Sequence, residues 1–143
     1  GISGAGKSTF AKSLNPDVIC SADDFFIGKD GKYSWYAKGI PVAHDTCRVK
    51  FKAAITAREN CDIVDYTVVV DNTSIRRDEY EWYFKTAQAY GHEVRIVEFV
   101  CPNEAVVQQC IARNTHNTPA AIIERAWHRF THDERAWKVI DVE

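Results

Sequence analysis

Long apolar runs are missing from this sequence. No stretch approaches the roughly 20 consecutive apolar residues of a membrane-spanning helix, and no secretory signal is visible. A surplus of one charge is missing too: 18 Lys and Arg stand against 20 Asp and Glu, a formal net charge of −2. There is thus no global basic field, and a nucleic-acid substrate would need a local cluster of Lys and Arg. The five cysteines (Cys20, Cys47, Cys61, Cys101 and Cys110) are odd in number, and no two have C-x-x-C spacing. A disulfide framework or a structural metal site is therefore not expected. They read as reduced, buried small hydrophobes of a cytoplasmic protein with no membrane partner. Repeats, low-complexity tracts and interdomain linkers are also lacking. What remains, 143 residues with 45% hydrophobic content, suits one soluble domain over 1–143.

Within it, strands and helices alternate. A helix is expected over residues 7–14, stopped by Asn15-Pro16. Val18-Ile19-Cys20 reads as a short buried strand ending at Ser21-Ala22-Asp23-Asp24. Residues 28–39 carry turn formers and the aromatics Tyr33, Trp35 and Tyr36, and read as a mobile loop. A helix follows with Ala43, Cys47, Phe51, Ala54 and Ile55 on one face. Val68-Val69-Val70 is a second buried strand ending in Asp71-Asn72-Thr73. The next helix carries Tyr80, Tyr83, Phe84, Ala87 and Tyr90 and closes at Gly91. A third strand covers residues 94–100. Pro102-Asn103 opens a helix with Val106, Val107, Cys110 and Ile111 inward. Residues 113–118 form a polar hairpin. Thr118-Pro119 then starts a last helix, as cap and first residue, with Ile122, Ile123, Ala126, Trp127 and Phe130 inward. This order predicts an α/β fold, a parallel sheet with helices on both faces.

Gly1-Ile2-Ser3-Gly4-Ala5-Gly6-Lys7-Ser8-Thr9 fits G-x-x-x-x-G-K-[ST] at every position. Glycines let the backbone wrap close to phosphate oxygens, and successive N–H groups point into the loop. Lys7 brings a point charge to the β- and γ-phosphates, and the Ser8 hydroxyl takes one magnesium position. ATP and Mg2+ are thus the expected ligands, and the expected α/β sheet is of the P-loop NTPase type. A P-loop follows a strand, so a strand is expected ahead of Gly1, outside the 143 residues; whether further domains flank this one is open.

The ends of the two buried strands supply carboxylates at the edge where open α/β sheets bind ligands. Asp23 is placed to accept the proton of an acceptor hydroxyl, with helix capping as the alternative; Asp24 reads as structural. Asp71 stands where a Walker B carboxylate would, holding magnesium through water or positioning the acceptor, with a strand-end turn as the alternative. Asn72 and Thr73 can bond in the same cleft. Arg76-Arg77 opposes the macrodipole of the helix it starts, which suggests an acceptor phosphate; solvated surface charge is nearly as good a reading. Arg113, in the polar hairpin, can swing onto a transferring phosphate or simply end its helix. Tyr33, Trp35 and Tyr36 either cover a base or pack their loop down. His44, His92, His116, His128 and His132 show no metal spacing; His128 and His132, four apart on the last helix, read as a solvated face.

Taken in order, the P-loop, Ser21-Ala22-Asp23-Asp24-Phe25-Phe26, Ala43-His44 before Cys47, Val70-Asp71-Asn72-Thr73, and Arg113-Asn114 with His116 and Pro119 resemble the P-loop kinase family that includes phage-type polynucleotide 5′-hydroxyl kinases. The resemblance runs from Gly1 to about Phe130. It implies transfer of the ATP γ-phosphate to the 5′-hydroxyl end of RNA or DNA. Lys7 and Ser8 match the P-loop, Asp23 the general base, Asp71 the strand-end aspartate and Arg113 a lid arginine. The chain departs from the phage pattern at Phe26 and Asn117, where that pattern has arginines. A small-molecule kinase acting on a nucleoside, sugar or antibiotic, and a non-catalytic ATP-binding module, are the other readings.

Overall fold

The computed structural model describes residues 1–57 and 66–143. Cys61 lies outside them; the other four cysteines are free and buried.

Nine helices and strands follow one another in these residues: α1 (Lys7–Ser13), β1 (Val18–Cys20), α2 (Ile40–Thr56), β2 (Val68–Val70), α3 (Arg77–Ala89), β3 (Ile96–Val100), α4 (Glu104–Arg113), α5 (Ala120–Arg129) and β4 (Ala136–Asp141). Every strand pairing is parallel, as buried β-branched runs separated by helices require. The described residues form two parallel pairs, β1 with β2 and β3 with β4. Gly1 lies between the pairs: its nitrogen donates to the Thr73 carbonyl at 2.9 Å, and a Cβ on it would meet the Phe99 carbonyl at 2.7 Å. A slot of about 770 Å3 runs between β2 and β3, lined by residues 66–74 and 91–99.

Each pair has its own core. Cys20, Ala22 and Phe26 pack with Ala43, Cys47, Phe51 and Ile55 of α2 and with Tyr83 and Ala87 of α3. Phe99 and Cys101 pack with Ile2 and Ala5 of the P-loop, Val107 and Cys110 of α4, and Ile123 of α5. The inward faces read from helical spacing are buried or half-buried except at Tyr90 and Ile122, which were expected inward and are 42% and 48% exposed. Four further details differ from expectation. The third strand begins at Ile96, two residues after Val94. Pro119 is itself the cap of α5, with extended backbone (φ −55°, ψ 138°), so the helix starts at Ala120. His132 lies beyond α5, which ends at Arg129, so His128 and His132 do not share a helix face. β4 was not expected at all.

Candidate active site

Gly4 and Gly6 turn the loop with φ of +77° and +90°, a region that costs any residue with a Cβ. Gly4 also sits against α4: a Cβ there would lie 2.0 Å from the Cys110 carbonyl oxygen. The Gly6 side stays open, with Gly6, Ser8 and Thr9 exposed at the entry to α1. Lys7 folds back, donating from Nζ to the Ile2 carbonyl at 2.7 Å. Burial pushes its ammonium below the usual lysine range, and the charges of Asp71 and Asp23 pull it back up. Two carboxylates from different strand ends thus share one field with the loop lysine. The residues fit a triphosphate: a glycine-wrapped turn, a partly desolvated cation, and exposed hydroxyls at a helix start. Among the described residues no three or more His, Cys, Asp or Glu converge as a metal site. A magnesium ion would therefore draw mostly on phosphate oxygens and water, with Ser8 and Asp71 as the protein's contribution.

Asp23 lies in a short 3-10 turn, Ala22–Phe26, directly after β1. Ser21 caps that turn, its Oγ accepting from the Asp23 N–H at 3.3 Å. Capping is therefore done by Ser21, and the Asp23 carboxylate is left for other work. Tyr33 Oη donates to its Oδ1 at 2.9 Å, and His116 Nδ1 lies 3.2 Å from its Oδ2. Asp24 turns outward to Lys50 at 2.9 Å.

Asn72 joins the two strand ends. Its Oδ1 accepts from the Ala22 N–H at 2.9 Å, and its Nδ2 lies 3.6 Å from Cys47 Sγ. With the Asp71 N–H donating to the Cys20 carbonyl at 2.9 Å, this fixes Asp71 beside the Asp23 turn. Thr73 gives its carbonyl to Gly1. Arg76 and Arg77 are engaged beside α3: Arg76 with Asp78 at 3.1 Å, Arg77 with Glu81 at 3.1 Å and Glu134 at 3.2 Å. Asp78 and Glu79 in the first turn offset the macrodipole cost of the two arginines. Arg113 donates to the Glu143 carbonyl at 3.2 Å and lies 3.6 Å from Cys110 Sγ. The residue of that connection that reaches Asp23 is His116.

Residues 28–39, expected as a mobile loop, begin as a tight hydrogen-bonded turn. Gly28 N–H donates to the Lys32 carbonyl at 2.9 Å and Ser34 N–H to Phe26 at 2.8 Å. Tyr33 and Tyr36 pack their loop down against Phe26, while the Trp35 ring stays 48% exposed. Phe26 is buried edge-on against Tyr33 and Tyr36, so that position faces the core. Asn117 holds φ +54°, a left-handed turn that asparagine tolerates better than arginine. Sequence reasoning gave no role to His116, or to Asn72 as the tie between strand ends. A polar residue in a helix connection carries no local signal of which carboxylate it will meet.

The AAA_33 family model, described as an AAA domain, matches residues 1–133. That family is P-loop NTPase-like and includes kinases.

Proposed function

Because the chain belongs to the AAA_33 family of AAA domains, we propose that it is an ATP-dependent kinase transferring the γ-phosphate to a 5′-hydroxyl end of RNA or DNA. The observation that carries this reading is the placement of Asp23. Its carboxylate is not used as a cap, and its charge reaches the P-loop lysine. A nucleotide-binding module needs Lys7 and Ser8 but has no use for a second strand-end carboxylate in the same field.

In this reading the loop amides and Lys7 hold the triphosphate, and Ser8 and Asp71 hold magnesium, which offsets phosphate charge when bound. Asp23 accepts the proton of the acceptor hydroxyl as its oxygen bonds to the γ-phosphorus. The bond from phosphorus to the β–γ bridging oxygen breaks, and ADP leaves. Arg113 gives up the Glu143 carbonyl for the transferring phosphate, where a cation offsets transition-state charge. Trp35 and Tyr36 are exposed in the same segment of the chain as the exposed Lys29, Lys32 and Lys38. Aromatic faces interleaved with cations suit a single-stranded end, whose bases stack and whose phosphates need countercharge. Arg76 and Arg77 become acceptor ligands by leaving their surface partners.

A second reading, a small-molecule kinase of the same fold, is favoured by Phe26, which leaves a buried ring where an acceptor-phosphate arginine is expected. Transfer of labelled γ-phosphate separates the two. The expected result is label on a 5′-hydroxyl oligonucleotide and little on nucleosides or sugars. Label on the small acceptors alone would move the assignment to the second reading.

A further inference from the structure

Both oxygens of Asp23 are engaged, by residues from two different connections. Tyr33, from the turn after the Asp23 segment, donates its hydroxyl to Oδ1 at 2.9 Å. His116, between α4 and α5, stands 3.2 Å from Oδ2. The two rings lean together, with centroids 4.5 Å apart and planes 36° from parallel. An alcohol donating to this carboxylate is the contact an acceptor hydroxyl makes before transfer. We propose that the Tyr33 hydroxyl occupies the acceptor-hydroxyl subsite, and that the acceptor enters by displacing it, which makes Tyr33 a residue that sets acceptor affinity.

This rests on the hydroxyl-kinase reading above. Several features fit Tyr33 to the part. Its ring is seated edge-on against Phe26 at 5.9 Å, in a turn closed by the bond from Gly28 to Lys32. The phenol is thus presented to Asp23 at a fixed height. Burial and the neighbouring carboxylate push the phenol above its usual range, so it remains a donor at neutral pH. Among the described residues its hydroxyl bonds to Asp23 alone, a tie that a second hydroxyl can replace one for one, and the ring can then slide along His116. The displacement exchanges one hydroxyl donor at Oδ1 for another and leaves the His116 contact at Oδ2 in place.

Steady-state kinetics of Tyr33→Phe with ATP and a 5′-hydroxyl oligonucleotide test this. The ring and its packing stay; only the competing hydroxyl goes. The acceptor KM should fall roughly three- to tenfold, the worth of about one hydrogen bond net of water. The ATP KM and kcat should stay within about twofold, the pattern of a change confined to acceptor binding. His116→Gln, which removes the ring that Tyr33 leans on, should lower the acceptor KM in the same direction. An acceptor KM that is unchanged or raised, or a kcat that drops with Tyr33→Phe, overturns the proposal, because Tyr33 would then be supporting Asp23 rather than holding the acceptor's place. Wild-type protein that binds ATP and transfers to no hydroxyl removes this proposal and the kinase reading together. Transfer with an unmoved KM removes this one alone.

Discussion

Gly4 and Gly6 both hold positive φ, yet they are not equivalent. A Cβ at Gly4 would press to 2.0 Å on the Cys110 carbonyl, while at Gly6 nothing stands within 4 Å. Gly6→Ala should therefore cost only the backbone term, about 1 kcal/mol. Gly4→Ala adds overpacking against a helix backbone and should cost roughly 2–4 kcal/mol and loosen nucleotide binding. Chemical denaturation of the two variants checks the order; equal losses would mean that α4 does not brace the loop. At this scale the sequence was most legible where a residue's chemistry is local. The G-x-x-x-x-G-K-S run, the strand-end Asp23 and Asp71, and the stop at Asn15-Pro16, where Asn15 takes φ +48°, follow from backbone rules. Tyr33 and His116 were not legible as partners, because their meeting depends on an 83-residue separation closed by the fold.

The four elements α3, β3, β4 and the segment leading into β4 are tied by one buried polar network. Glu98 of β3 is 5% exposed and accepts from the Asp133 N–H at 2.6 Å, with His132 Nδ1 also at 2.6 Å. Asp133 is 2% exposed and takes Tyr80 at 2.7 Å and Arg135 at 2.6 Å. Arg135 also reaches Glu81 at 2.8 Å and lies over the Phe84 ring at 4.1 Å. The Arg135 guanidinium, helped by the Tyr80 phenol, holds Asp133 well below the usual carboxylate range. A carboxylate whose pKa is depressed on folding adds stability that is fully present above its unfolded value of 3.8 and is lost as pH falls below it. Arg135→Met keeps the stem over Phe84 but strands Asp133, and should cost about 3 kcal/mol at neutral pH. Its stability should also fall less steeply than wild type below roughly pH 4. Parallel acid-unfolding slopes would show that this ion pair is not what acid disrupts. This network explains why β4 was missed. Its sequence, Ala136-Trp137-Lys138-Val139-Ile140-Asp141, has no clean alternation, and a bulge at Trp137 interrupts its register with β3. A glutamate inside β3 likewise reads as an exposed residue until its two donors are seen. Strands β1 and β2 were legible because each is a short apolar run that ends in polar residues.

At the scale of the whole molecule, the two parallel strand pairs of the described residues, each over its own core, hold the P-loop between them. The loop touches the first pair at Thr73, just past β2, the second at Phe99, and α4 at Cys110. This is how residues far apart in sequence come to share a site: the Asp23 turn comes from the first pair, the His116 connection from the helices under the second, and Lys7 from the loop between. The alternation of elements made the α/β class legible, while the closure of two connections over Asp23 depends on tertiary packing. No helix among the described residues is long and apolar enough to cross a membrane. The central claim is that Asp23 turns a nucleotide-binding loop into a hydroxyl kinase. Asp23→Asn, which keeps the shape and loses the base, tests it when ATP affinity and γ-phosphate transfer are measured on the same preparation. ATP affinity should hold, while transfer to a 5′-hydroxyl oligonucleotide should fall roughly 10²- to 10⁴-fold, the usual contribution of a general base. Transfer that survives the substitution at near wild-type rate would contradict the account.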